Sequence, residues 1–346
     1  MHSINERIYE KLKTEPEPEN YSGRIPWIVQ QQIGATNGVH YVDTIGKLRE
    51  YPIPEIPVHG GKDNQLLLDI GCGWGRWLVA SSRKNFIPIG IDLRLEFCET
   101  ARKVVADNGS HAYTAVADLQ ELPFLENSFD LVWSFSVIQH THYDRLVKCL
   151  REIRRILRTD GYCLLEFPNK KGFRNRIGPA STPNNMEFES WDVRYYTPAE
   201  YRKIFLHFFT HFEFSTHSML GIGILPGDLK YARGLRNKAI ISVSRVLTEM
   251  SGFIKPLKEY ADSIYIKANK TGLPGEPPES LKIFLQKHLA NPTDNLNIVH
   301  LLRCPKSGFP LAISENRSEL ICQKAGLAYP IQNSIPIMVS SESRSL

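Results

Sequence analysis

Three acids, each closing an apolar run, are the residues best placed to do chemistry. Leu66-Leu67-Leu68 ends on Asp69, Ile87 to Ile91 ends on Asp92, and Ala115-Val116-Ala117 ends on Asp118. The first run continues as Ile70-Gly71-Cys72-Gly73-Trp74-Gly75-Arg76-Trp77. Short apolar runs of this kind read as buried strands, and alternating glycines let the chain turn sharply and approach a ligand without an intervening Cβ. The dinucleotide fingerprint Gly-x-Gly-x-x-Gly holds a pyrophosphate on a helix N-terminus. Here Arg76 takes the place of the third glycine, so a pyrophosphate is not the implied guest. An acid ahead of the turn suits a ligand with a cationic end, such as the ammonium of an amino-acid group, whose carboxylate the backbone N–H groups can serve. The alternative is an ordinary glycine-rich turn between strand and helix.

From Gln65 onward strand and helix patterns alternate, which predicts a parallel sheet with crossover helices. Ligands of such sheets bind beyond the carboxyl ends of the strands, near the switch in strand order. All three acids are delivered to that edge. Asp92, with Leu93 beside it, can accept both hydroxyls of a ribose, or cap a helix. Asp118 can accept from an adenine amino group, helped by the Leu119 N–H, or sit in a surface turn. A fourth strand runs through Phe129-Asp130-Leu131-Val132-Trp133-Ser134. From Asp144, read as an N-cap, Leu146, Val147, Leu150, Ile153 and Leu157 recur at helical spacing. Thr159-Asp160-Gly161 turns the chain into a fifth strand, Tyr162 to Phe167.

The totals set bounds on these readings. A chain of 346 residues that is 42% hydrophobic has room for about two domains and a substantial core. The net charge of +5, from 42 Lys and Arg against 37 Asp and Glu, does not imply coating by nucleic acid. The N-terminal residues lack the apolar core of a signal peptide, and no charge-free apolar run reaches the ~18 residues of a membrane span. A cytoplasmic protein with no membrane partner is expected, and its six scattered cysteines read as reduced structural thiols. His207 and His211 are four apart but lack the Glu of a His-Glu-x-x-His site and sit among phenylalanines, so they read as packing residues, with no metal.

The order of these motifs resembles the class I S-adenosylmethionine-dependent methyltransferases, of the type 11-like kind. The matching residues are the Asp69-x-Gly71-x-Gly73-x-Gly75 loop, Asp92, and Asp118 with Leu122-Pro123-Phe124. Phe129-Asp130-Leu131-Val132, Glu152-x-x-Arg155-x-Leu157 and Asp160-Gly161 follow, the last where the family has Pro-Gly-Gly. The resemblance implies an α/β fold with a Rossmann-like seven-stranded sheet, helices on both faces and an antiparallel seventh strand. It implies S-adenosylmethionine as cofactor, held by Asp69, Gly71, Cys72, Gly73, Gly75, Asp92, Leu93, Asp118 and Leu119, with Ser134 touching the methionine portion. His140, just past the fourth strand where the methyl group is normally met, is the candidate general base; it can equally cap a helix or line the pocket.

Residues 1–61 read as an N-terminal extension or lid, in which Ile25-Pro26-Trp27-Ile28-Val29 is an apolar patch able to cover a ligand or to pack outside the sheet. Residues 62–270 form the methyltransferase domain. Within it a polar insertion, Pro168 to Trp191, carries Lys170, Lys171, Arg174 and Arg176. A capping box with proline starts a helix at Thr197-Pro198-Ala199-Glu200. Phe212 to Phe214 and Ser263 to Lys267 read as the last two strands, and Asn237 to Met250 as an amphipathic helix able to wall the substrate pocket. Residues 271–280 are a linker by composition. Residues 281–346 resemble the small zinc-ribbon-like family of the tRNA and protein methyltransferase activator, on Leu327-Ala328-Tyr329-Pro330-Ile331 followed by Ile335-Pro336-Ile337. Leu301 to Pro305 and Leu320 to Cys322 complete its expected strands. Ser307 and Ala325 stand where the second cysteine of each zinc knuckle would be, leaving Cys304 and Cys322, so a metal-free module held by its own small apolar core is expected. The expected activity is methyl transfer to oxygen or nitrogen of a small-molecule or glycan-type acceptor. An RNA or protein methyltransferase with a built-in activator, or a non-catalytic S-adenosylmethionine-binding protein, are the alternatives. The acceptor class and oligomeric state are left open.

Overall fold

The computed structural model describes residues 14–62, 64–174, 193–273 and 276–346. Arg176 and the rest of the insertion from 175 to 192 lie outside them, as do residues 1–13 and the Pro274-Gly275 pair of the linker.

The apolar runs become strands β1 (Leu66–Ile70), β2 (Ile87–Asp92), β3 (Tyr113–Ala117), β4 (Phe129–Ser134) and β5 (Leu157–Pro168). The strands β6 (His211–Ser218) and β7 (Ser263–Asn269) follow. Their order is β6-β7-β5-β4-β1-β2-β3, with the first five strands mutually parallel and β7 antiparallel to both neighbours. β1 and β3 are buried along their whole length, as continuous apolar strands between two helix layers must be.

The crossovers are helices α3 (Arg76–Ser82), α4 (Leu95–Asp107) and α5 (Tyr143–Ile156). Among the described residues two short helices precede them, α1 (Trp27–Thr36) and α2 (Val39–Val42). α5 buries Leu146, Leu150 and Ile153 as its spacing predicts, but its N-cap is His142 rather than Asp144. Asp144 sits in the first turn, exposed, where its charge still suits the positive end of the helix. The turn at Thr159 to Gly161 is a bulge inside β5: Phe129 pairs with Leu157 and Leu131 with Tyr162, and Asp160 takes φ 69°. The capping box at α6 (Pro198–Leu206) forms as read, with Thr197 and Glu200 bonded reciprocally.

Beyond β6 come α7 (Gly234–Ser251) and α8 (Lys255–Lys258). The C-terminal region supplies α9 (Glu279–Ala290) and strands β8 (Ala312–Ile313), β9 (Glu319–Cys322), β10 (Leu327–Gln332), β11 (Ile335–Met338) and β12 (Arg344–Ser345). Leu301 to Pro305 is not a strand. It ends a 3₁₀ turn, Asn295–His300, and makes only single bridges, Leu302 to Phe124 and Arg303 to Pro310.

The module continues the sheet of the larger domain. β11 lies parallel to β3, Ile337 opposite Val116 and Met338 opposite Ala117, and β10, β9 and β8 follow outward. Its apolar residues Phe284, Leu301, Leu302 and Tyr329 belong to the same core as Tyr113, Phe124 and Phe129. The expected module held by its own small apolar core is therefore corrected: β11 lies between β3 and β10, and the module's apolar side chains share one core with the larger domain. Cys304 and Cys322 are buried, the Cys304 thiol 3.3 Å from the Tyr329 hydroxyl and the Cys322 thiol 3.7 Å from the Ser307 hydroxyl. All six cysteines are free and buried.

Candidate functional site

Strand order reverses between β1 and β4, and there Ser134 donates from its hydroxyl to the Ile70 carbonyl at 3.2 Å. The glycine turn wraps around the end of β2. The N–H groups of Gly71 and Cys72 both donate to Ile91 O, at 2.8 and 2.9 Å, and Gly75 N–H donates to Cys72 O at 2.9 Å. This brings Gly73 N–H to Asp92 Oδ2 at 3.1 Å, while Asp92 Oδ1 accepts from Arg94 N–H at 3.1 Å. All three glycines of the turn take a positive φ. Gly75 has φ +93° and a Cβ there would lie 2.8 Å from Ala101 Cα. Gly73 has φ +49° and faces open space.

Asp69 is fully buried, and both its carboxylate oxygens lack a hydrogen-bond partner. Burial pushes its pKa to about 8, against the pull of Arg76 and with the push of Asp92. Asp92 is raised to about 6, also by burial, opposed by the backbone N–H groups it accepts. Two unbonded oxygens in the interior are costly, and their usual explanation is a missing partner. An ammonium group would answer the charge, and the open side of Gly73 would admit it. The donor set thus fits the methionine end of S-adenosylmethionine.

The other expected contacts fall along the same edge. Leu93 is 59% exposed beside Asp92. Asp118 accepts from Gln120 N–H at 2.9 Å and from its side-chain amide, and Leu119 packs half-buried against the core. Ser134 is buried. Cys72 is placed differently from an open contact: its side chain lies against Gly90, and its thiol is pushed up by its bond to Cys98 and by burial. His140 closes a 3₁₀ turn, Ile138–His140, half-buried, its carbonyl accepting from Arg194 at 2.9 Å. Val137, three residues earlier, is the side chain that a Cβ on Gly71 would strike, so this segment lies over the glycine turn.

The structure adds residues that the motifs did not disclose. Glu166, at the end of β5, is buried and accepts from Ser136 N–H and Oγ, both at 3.0 Å, and from the Ser263 hydroxyl. Burial raises it to about 7, against the Ser136 bonds. An acid inside the apolar run Tyr162 to Phe167 was a signal available in the sequence. Asp228 accepts from the Tyr41 hydroxyl at 2.8 Å, joining the N-terminal extension to the loop before α7. Arg76 feels both, together with Asp69, and its guanidinium stacks over Trp77 and Phe135 at 5.3 and 5.2 Å. His217, with Nε2 buried and unpartnered, is pushed down to about 3 by burial. Gln32 on α1 is fully buried with neither amide atom bonded. Nothing local in the sequence singled out Asp228, His217 or Gln32.

The apolar patch at Ile25 to Val29 takes the packing alternative. Ile25, Val29 and Ile33 pack on Trp74, Leu78 and Val79 of the glycine turn and α3. His207 and His211 are exposed at the end of α6 and the start of β6.

Strand order, glycine turn and successive acids define a domain of the Rossmann-like, S-adenosylmethionine-dependent methyltransferase class. Residues 67–161 match the family described as Methyltransferase domain, and residues 296–334 the family described as Trm112p-like protein. The chain thus carries a methyltransferase domain, and through its C-terminal module it belongs to the Trm112p-like family. A UPF0434 protein of Pseudomonas aeruginosa is 51% identical over 49 residues, 14% of this chain and 80% of that protein. An uncharacterized protein of Methanocaldococcus jannaschii is 35% identical over 111 residues, 32% of this chain; the chain spans 43% of that relative's length. Among solved structures, a SAM dependent methyltransferase from Archaeoglobus fulgidus aligns over 60% of this chain and 86% of its own, with 18% identity and a TM-score of 0.40. A complex containing the Haloferax volcanii Trm112 methyltransferase activator aligns over 71% of this chain and 95% of its own, at 17% identity and a TM-score of 0.43.

Proposed function

We propose that the protein transfers the methyl group of S-adenosylmethionine to an oxygen or nitrogen nucleophile of a small-molecule or glycan-type acceptor. The observation that carries this reading is the buried Tyr41–Asp228 bond, which closes the N-terminal extension and the loop before α7 over the sheet edge where Asp69 and His217 keep unpartnered polar atoms. Buried polar atoms left without partners beside such a bond suit a small polar acceptor better than a long polymer.

The cofactor supplies a methyl group already activated on a sulfonium. The chain's residues bind, orient and exclude water. Asp69 faces the ammonium, Gly73 leaves open the space for the methionine end, Gly71 and Gly75 let the turn that lines it pass under Val137 and against Ala101, and Ser134 flanks it. Asp92 and Leu93 serve the ribose, and Asp118 with the Leu119 N–H the adenine. Cys72 acts by fixing the turn. His140 is the candidate base for the acceptor proton, and Glu166, which accepts from Ser136, is a second group that can take one.

A second reading, methylation of RNA or protein with the activator in the same chain, is favoured by the Trm112p-like match and by the β3–β11 join. Calorimetry with S-adenosylmethionine and its demethylated product, on wild type and Asp92→Ala, tests the cofactor assignment; no binding to wild type in the micromolar range overturns it. Labelled methyl transfer into small-molecule, RNA and protein fractions then separates the readings. Binding without any labelled product selects the non-catalytic protein.

A further inference from the structure

α7 is amphipathic on the side away from the protein as well as toward it. Ile241, Ser244 and Ser251 are buried, and Ser244 Oγ accepts from Met219 N–H. On the opposite side Leu235, Ala239, Val243, Val246 and Met250 recur at intervals of three, four and seven, which one helix face collects. Leu235 is 88% exposed and Val246 54%, and Phe253, just past the helix end, is 92% exposed. A core helix has no use for this second face, and apolar residues collected in one contiguous exposed patch mark an interaction site.

The charges beside the stripe decide its partner. Arg233, Arg236, Lys238, Arg245 and Lys258 are exposed on this segment, whereas Glu249, the one acid from 233 to 258, is engaged by Arg245 at 3.0 Å. A water-exposed apolar stripe edged by cations matches the headgroup region of an anionic bilayer, where apolar side chains enter the acyl boundary and Lys or Arg meet the lipid phosphates. We propose that α7 and the Phe253 turn dock the protein on an anionic lipid surface. The expectation of no membrane partner rested on the want of a spanning run, and among the described residues no helix is long and apolar enough to cross a membrane. A helix lying in the interface needs no such length. The turn Pro226–Lys230, which holds Asp228, precedes this helix in the chain, so the docking face lies on an element next to the Tyr41–Asp228 bond.

The inference stands apart from the catalytic reading, because it is tested by binding alone. The full chain is sedimented with vesicles of phosphatidylcholine and with vesicles of equimolar phosphatidylcholine and phosphatidylglycerol. Wild type is expected to pellet with the anionic vesicles and to be released by salt. Val246→Ser with Phe253→Ser should lower partitioning roughly tenfold or more, as removing two inserted apolar side chains predicts. Arg233→Gln, Arg236→Gln and Lys238→Gln together should do so through charge. Unchanged thermal unfolding of each variant shows that the fold is intact. Failure to pellet with anionic vesicles overturns the proposal. So does wild-type self-association in sedimentation velocity that the Val246→Ser, Phe253→Ser variant abolishes, since the face would then belong to a second copy.

Discussion

The side-chain amide of Asn295 holds both backbone groups of Thr114: Thr114 N–H donates to Oδ1 at 2.8 Å, and Nδ2 donates to Thr114 O at 2.9 Å. The same Nδ2 also donates to Ser334 O at 2.8 Å, just before β11 begins. One buried side chain thus stitches β3 to the approach to β11 where the ladder itself is short, only two residue pairs. Asn295→Ala leaves two buried backbone groups unpaired and should cost about 2–4 kcal/mol in urea unfolding. Asn295→Asp keeps the acceptor but sets a carboxylate oxygen against the Thr114 and Ser334 carbonyls in a buried site, so its loss at neutral pH should be at least as large, easing at acid pH where the carboxyl can again donate.

Removing residues from Leu281 onward should be far more damaging than losing a tethered domain. Tyr113, whose ring meets Phe284 edge-on at 5.0 Å, would face water together with an unpaired parallel edge. The module also grips the loop that carries Asp118: Arg303 N–H donates to Pro123 O and Leu125 N–H to Leu301 O, both at 2.8 Å. The expected outcome is an aggregating fragment with weakened cofactor binding. A soluble fragment with wild-type methyl transfer would show that the module is neither a structural nor an activating part.

The two glycines with open and closed surroundings give opposite predictions. Gly75→Ala places a methyl against the Ala101 backbone at a positive φ, so it should destabilise the fold by roughly 2–4 kcal/mol and lower soluble yield. Gly73→Ala meets no atom within 4 Å and should cost only about 1 kcal/mol of strain while weakening S-adenosylmethionine binding, because its methyl enters the ligand space. Thermal unfolding and calorimetry on the pair separate the two effects.

These contrasts show what the sequence could carry. Acid-terminated apolar runs placed β1 and β2, and the Thr197 and Glu200 pair placed α6, because each signal is local: burial pattern in one case, reciprocal capping bonds in the other. The β3–β11 pairing joins residues more than two hundred apart and depends on which edge is left open, information that no short stretch holds. Asp228 and His217 are ordinary polar residues until the fold brings Tyr41 and Arg76 beside the first and Phe135 and Tyr265 around the second. Glu166 is the intermediate case, a legible buried acid whose partners Ser136 and Ser263 were not legible.

Stability of the ligand-free protein should fall as pH rises. Asp69, with an ordinary value of 3.8, is raised to about 8 in the fold, and Asp92 and Glu166 are raised to about 6 and 7, each chiefly by burial. A carboxyl raised in the folded state holds a proton there that the unfolded chain has released. Its stabilising contribution is complete below about pH 4 and is lost as pH climbs through the folded value. Asp69 alone gives a slope of up to about 1.4 kcal/mol per pH unit in that window. A cationic ligand favours the ionised carboxylate, so the rise in melting temperature on adding S-adenosylmethionine should grow from pH 5 to pH 8. A pH-independent rise, or one that survives unchanged in Asp69→Asn, would remove Asp69 from the ammonium site.

Tyr41→Phe tests whether closure serves the acceptor. The hydroxyl donates to Asp228 Oδ1, while Oδ2 is held locally by Leu225 N–H at 2.9 Å, so the substitution removes the buried fastening between the N-terminal extension and the loop, leaves the outer one of Lys230 and Tyr231 on Glu50, and keeps the loop's own turn intact. Losing a buried hydrogen bond to a charged group should cost about 1.5–3 kcal/mol. Because neither residue belongs to the glycine turn, S-adenosylmethionine affinity should change little. The acceptor KM should rise, and water should enter the site, so that kcat falls with it. Equal loss of cofactor affinity and acceptor affinity would mean that Tyr41 supports the whole sheet edge and that the acceptor site lies elsewhere. Asp228→Asn keeps an acceptor for the hydroxyl but sets its amide NH2 against the Leu225 N–H and drops the charge beside Arg76, so it should loosen the loop's own turn as well and raise the acceptor KM at least as much as Tyr41→Phe does.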